Sequence, residues 1–142
     1  MHDTIPILLT ALFALLGLWH FYMALLPAGA SPGAVPSSDG KPLFAPSRAA
    51  TIMVGIVLFL FAMLVAATGG LLPLGIPNRV LRFLSVGLAL GLFARAIGDF
   101  RYVGFLKRYR QSRFAMMDTF VYSPLCLLLS AGVATVAAQN GN

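Results

Sequence analysis

Residues Ala49–Leu72, AATIMVGIVLFLFAMLVAATGGLL, contain no charged side chain. A bilayer's hydrocarbon core is about 30 Å thick, and about 20 apolar residues of α-helix cross it. This run is long enough. It is continuously apolar, whereas a membrane β-strand alternates apolar with polar residues, so a closed barrel is excluded. In hydrocarbon every backbone N–H and C=O needs an internal partner, and a helix is the solution that remains. With its flanks, this is span 2, about residues 47–72.

Working outward, residues 28–46 contain Pro32, Pro36, Pro42 and Pro46 with Gly29, Gly33 and Gly40, a composition that breaks helices and predicts an irregular loop. Before it, Thr4–Pro27 lacks Asp, Glu, Lys and Arg, which predicts span 1. That stretch is too long for a signal-peptide core, and no basic segment precedes it. After span 2, the short link Gly69–Pro77 turns the chain back as an antiparallel hairpin. Span 3 follows at 78–100. Its uncharged centre, Phe83–Ala94, is short, but Arg82 and Arg95 can snorkel to the interfaces. At about 1.5 Å per residue the whole segment reaches about 34 Å. Residues 101–117 interleave Arg101, Lys107, Arg108, Arg110 and Arg113 with Phe105, Leu106, Tyr109 and Phe114, as expected of a segment in the headgroup layer. Span 4 runs over about 118–138. The expected fold is all-α: one polytopic membrane domain over 1–142, an antiparallel bundle of four transmembrane helices.

Composition agrees. Hydrophobic residues make up 59% of the 142 and charged ones 10%, there is no glutamate, and the mean hydropathy is +0.89. A small soluble domain cannot hide that much apolar surface, so a soluble enzyme, a disordered chain and a coiled coil are excluded. The net charge of +6 is expected to reflect orientation and anionic lipid rather than nucleic acid. Four spans put residues 28–46 and 101–117 on one side. That side holds Lys41, Arg48, Arg95, Arg101, Lys107, Arg108, Arg110 and Arg113, against Arg79 and Arg82 on the other. The bias predicts that the loops with the eight are cytoplasmic and both termini outside.

Candidate site residues are few. Cys126 is the one cysteine, so no intrachain disulfide forms, and no cluster with metal-ligand spacing occurs. Gly87, Gly91, Arg95 and Asp99 recur every four residues on span 3, one drifting helical stripe. The glycines make a small-xxx-small pair suited to close helix approach, so the stripe is expected to face the bundle interior. Arg95 either marks a functional site or anchors the helix end by pairing with Asp99. Asp118 caps a span 4 kinked by Pro124, or Ser123 caps a shorter helix. His20 has either a packing role or an inward, functional one. His20, Arg48, Arg95, Asp99, Asp118 and Tyr122 all fall near the cytoplasmic helix ends. If they converge, they form a polar pocket under an apolar roof, suited to an amphiphile with an anionic head.

The strings Gly98–Arg108 (GDFRYVGFLKR), Phe114–Cys126 (FAMMDTFVYSPLC) and Val35–Ser47 (VPSSDGKPLFAPS) resemble an uncharacterised bacterial family of small four-helix membrane proteins, a domain of unknown function. The resemblance implies the four-helix topology and the bacterial inner membrane. It implies no activity, cofactor or catalytic residue.

The expectation for function is therefore binding of a lipid-like or hydrophobic anionic ligand at the cytoplasmic helix ends, with no cofactor. The alternatives are a membrane-embedded enzyme of isomerase or reductase type, a small transporter, or a structural subunit. Expected partners are anionic membrane lipids and another copy or membrane protein; nucleic acid is not expected.

Overall fold

The computed structural model describes residues 4–27, 35–38 and 41–140. Within them four helices form: α1 (Thr4–Leu25), α2 (Arg48–Thr68), α3 (Asn78–Ile97) and α4 (Arg113–Gln139). Each is long and apolar enough to cross a membrane. The chain is thus a multi-pass membrane protein with an all-α bundle. A two-residue antiparallel ladder, Ser37–Ser38 with Lys41–Pro42, lies between α1 and α2.

Local chemistry sets the helix ends. Ser47 Oγ accepts the Ala50 N–H at 3.1 Å and caps α2. Gly69 and Gly70 close it, Gly70 with φ of 76°. Gly98, with φ of 96°, ends α3, so the helix stops short of Phe100. Ser112 Oγ accepts the Ala115 N–H at 3.0 Å and starts α4 at Arg113. This helix begins before the expected 118, and neither Asp118 nor Ser123 is its cap. Both lie inside it, at a π turn over Asp118–Tyr122 whose Ser123 N–H bonds to the Asp118 carbonyl. Pro124 explains the turn: it offers no N–H and its ring crowds the preceding turn, which the wider π spacing relieves.

The most extensive packing is within two pairs, α1 with α2 and α3 with α4. Gly17 and Gly55 bring α1 and α2 together. A Cβ on Gly17 would lie 3.1 Å from the Gly55 carbonyl oxygen, and one on Gly55 would lie 3.2 Å from that of Gly17. Phe21 and Phe59 stack beside them, centroids 5.7 Å apart. The α3–α4 pair is tied by Ser130, whose Oγ donates to the Ala89 carbonyl at 2.8 Å. A shared core of Leu9, Phe13, Ala62, Val65, Ala89, Leu129, Val133 and Val136 joins the pairs.

The expected interior stripe of span 3 is on the wrong face. Gly87 and Gly91 are exposed, and a Cβ on either would meet nothing within 4 Å. The buried face of α3 is Leu81, Ser85, Ala89 and Ala96 instead. Both sets obey the four-residue spacing, and the direction of burial is decided by Ser130 and Thr68, which bond Ala89 and Ser85. The end of the bundle that holds the starts of α2 and α4 is its basic end, and the opposite one, with the start of α1 and the end of α4, is its terminal end.

Candidate functional site: a buried ion-pair cluster at the basic end

The segment between α3 and α4 begins at two glycines that no other residue could replace in this conformation. Gly98 and Gly104 both have positive φ, and a Cβ on either would collide with the backbone of the other or of its neighbours Val103 and Ile97. The chain therefore folds back on the end of α3. The Phe105 N–H bonds to the Ala96 carbonyl at 2.9 Å, and that of Leu106 to Ile97 at 3.2 Å. Asp99 locks the turn, its Oδ1 accepting from the backbone N–H groups of Arg101, Tyr102 and Val103 at 2.9, 2.7 and 2.9 Å. What burial it has pushes the Asp99 carboxyl up, but those hydrogen bonds together outweigh it and hold the group below its ordinary 3.8.

The fold-back carries Lys107 inward. Expected at the membrane surface with Arg101, Arg108, Arg110 and Arg113, Lys107 is instead 2% exposed, while the other four are exposed. Its ammonium donates to the Gly104 carbonyl at 3.0 Å, Asp118 Oδ2 at 3.0 Å and Thr119 Oγ1 at 2.6 Å. Those three bonds use all its donors. Asp118 is fully buried on the π turn. Its Oδ2 also accepts the Gly104 N–H at 2.6 Å, and its Oδ1 takes Arg95 Nη2 at 2.8 Å. The expected Arg95–Asp99 pair is thus replaced by Arg95–Asp118: the turn at Gly98 takes Asp99 off the helical stripe, and its Oδ1 is engaged by the turn's own amides.

Chemically this arrangement is a clamp. Asp118 joins the end of α3, the fold-back and α4 through charge-assisted bonds from Arg95, Gly104 and Lys107. Two cations face one carboxylate, so the cluster keeps a positive charge. Arg95 Nη1 is buried with no hydrogen-bond partner, as is Ser123 Oγ one turn beyond Thr119.

Of the other expected site residues, His20 and Arg48 make no bond to this cluster. His20 Nδ1 donates to the Leu16 carbonyl on its own helix at 2.8 Å. Arg48 is exposed at the first residue of α2. Tyr122 lies on the π turn with its ring 5.9 Å from that of Phe114. Two cavities lie away from the cluster. One of about 250 Å³ opens between α3 and α4, and one of about 310 Å³ lies among Pro6, Thr68, Gly70, Gln139 and Asn140 at the terminal end. Neither is lined by Arg95, Lys107 or Asp118.

Sequence reasoning missed Lys107 and Gly104 as site residues. The available signal was the glycine pair at 98 and 104: two turn-formers six residues apart between a helix end and a basic run mark a reversal, which must turn one side of that run inward.

The fold and cluster define a class: small multi-pass helical membrane proteins whose one basic end is closed by buried ion pairs. Residues 13–133 match the family described as "Protein of unknown function (DUF3995)", and the chain belongs to that family. No curated protein and no solved structure matches the chain significantly.

Proposed function

We propose that this protein binds anionic lipid, or an amphiphile with an anionic head, at its basic end, and that this end faces the cytoplasm of a bacterial inner membrane. The observation that carries the reading is the exposed surface there. Lys41, Arg48, Arg101, Arg108, Arg110 and Arg113 are exposed, and none forms a salt bridge among the described residues. Leu43, Phe44, Phe100, Phe105 and Leu106 are exposed beside them. Cations next to apolar side chains suit the boundary between headgroups and acyl chains. Each Lys or Arg near an anionic leaflet gains about 1 kcal/mol.

The cluster then has a supporting role. By absorbing Asp118 it removes a carboxylate that would oppose the surface. It also holds the fold-back, which carries the exposed Arg101, Phe105, Leu106 and Arg108. The contacts to the anionic head are assigned to the exposed arginines, with the cluster of Arg95, Lys107 and Asp118 adding its net positive charge from behind. The orientation follows from the lysine and arginine bias.

Reconstituting the whole protein in vesicles of mixed phosphatidylglycerol and phosphatidylcholine, then extracting it gently and weighing the retained lipid, tests this. Retained phosphatidylglycerol should exceed its share in the vesicle and fall with salt. It should also fall in the triple variant Arg101→Gln, Arg108→Gln, Arg110→Gln. Retention equal to the vesicle composition, or unchanged in the triple variant, would overturn the reading.

A further inference from the structure

Between α3 and α4, from Arg82 near the terminal end to Phe93 past the middle of α3, the bundle surface is indented. The groove is floored by Ala89, Ala134 and Ala138 and flanked by Phe93, with Arg82 at its outer end, and holds about 250 Å³. It exists because α3 and α4 pack through small residues: Ser130 bonds the Ala89 carbonyl directly, which draws the helices together and leaves no large side chain to fill the seam. That bond also satisfies Ser130, so the groove walls offer hydrocarbon. The charged exception is Arg82, which is exposed and has no salt bridge among the described residues.

We propose that this groove is a binding site for one acyl chain of an anionic phospholipid in the leaflet at the terminal end, with Arg82 holding its phosphate. Three facts support the assignment. Away from Arg82, the groove's walls give water few partners, so hydrocarbon suits it better than water. Its length suits one acyl chain entering at Arg82: the helix rises about 16 Å over the eleven steps from Arg82 to Phe93, and half of the hydrocarbon core is about 15 Å. Its charge sits at the outer end only, where a headgroup lies, and complements a phosphate. A helix of a second copy would fill the groove equally well by shape, but it would leave Arg82 without a counter-charge. This site is in the opposite leaflet from the basic end, so it is independent of the lipid binding proposed there.

The protein has one tryptophan, Trp19, at the other end of α1. In a Trp19→Phe background, Phe93→Trp places a reporter in the groove wall. The probe is vesicles of phosphatidylcholine and phosphatidylglycerol with bromine on the acyl chains of one or the other. Brominated phosphatidylglycerol should quench the reporter more than its bulk share allows, a preference of about fivefold for one arginine at the headgroup. Arg82→Gln should bring the preference to one while Arg82→Lys keeps it. Ala134→Leu, which fills the groove from an exposed position, should abolish it with the helical circular dichroism unchanged. The proposal fails if there is no preference in the parent, if the preference survives Arg82→Gln, or if quenching falls as protein density rises, which marks a second copy in the groove.

Discussion

The two helix pairs are joined by opposite means. The α1–α2 contact is close and apolar: Gly17 and Gly55 let the backbones approach, and Phe21 and Phe59 stack over the gap. Toward the basic end the α3–α4 contact is made of charge, with Asp118 between Arg95 and Lys107. In a bilayer, lipid is as apolar as Phe or Leu, so the first contact rests on packing alone. The second rests on the cost of leaving an ion unpaired in a dry site, which is larger and more directional. The glycine seam is sensitive to side-chain size, whereas the ion cluster is sensitive to charge.

The sharpest test of that contrast is Asp118→Ala. It strands Lys107, 2% exposed, and the half-shielded Arg95 without their counter-ion. Breaking a buried pair from one side costs about 3–5 kcal/mol. Thermal unfolding in detergent should show a larger loss than overpacking of the glycine seam produces. A loss as small as that of a surface charge would show that the cluster contributes little.

Gly55→Val probes the other seam. The new Cβ would lie 2.6 Å from Phe21 Cε1 and 3.2 Å from the Gly17 carbonyl oxygen. The ring can move but the backbone cannot, so the helices must part, at the roughly 1–3 kcal/mol typical of overpacking. The same change at Gly87, where a Cβ meets nothing, should be silent in the same assay. If both glycines respond alike, the face assignment of α3 is wrong.

The double variant Lys107→Met, Asp118→Leu removes the main buried pair together. Replacing a buried ion pair by apolar side chains of similar volume is often neutral. This variant should therefore regain the part of the stability lost in Asp118→Ala that comes from stranding Lys107, leaving the cost of Arg95 without its counter-ion and about 1 kcal/mol from the Gly104 N–H left unbonded. A double variant no better than the single one would mean that the carboxylate has a role beyond neutralisation.

The same contrast explains what was legible in the sequence. Four apolar runs are a property of each segment alone, so helix number and class could be read directly. Which face of α3 is buried could not, because Gly87–Gly91 and Ser85–Ala89 both have the spacing of a packing face, and the partner residue Ser130 lies far along the chain. The ion cluster was half visible. Arg95 and Asp118 stood out as charges at helix ends, but Asp99 is the partner that helical spacing offers to Arg95. Lys107 looked like one of five equivalent surface cations until the turns at Gly98 and Gly104 selected it for the interior. The start of α4 at Arg113 was hidden by Pro124, which in sequence argues for a helix beginning nearby and in structure sits behind a π turn.

Asp99 and Asp118, the two carboxylates at this end among the described residues, differ in the same way as the two seams, and acid separates them. Asp99 is exposed and held by three backbone amides. Its folded value lies below the ordinary 3.8, so the proton binds the folded turn more weakly than the open one. The turn's stability is then fully present above that ordinary value and is lost as pH falls through the lowered one. Amide exchange at Arg101, Tyr102 and Val103 should therefore be protected at neutral pH and lose protection locally in acid, before the helices unfold. Asp99→Asn, which keeps an accepting oxygen but carries no charge, should weaken the protection by a small amount and remove its pH dependence. Loss of protection at these amides with the same acid midpoint in Asp99→Asn would assign the transition to Asp118, and would mean that the buried cluster opens before the exposed turn.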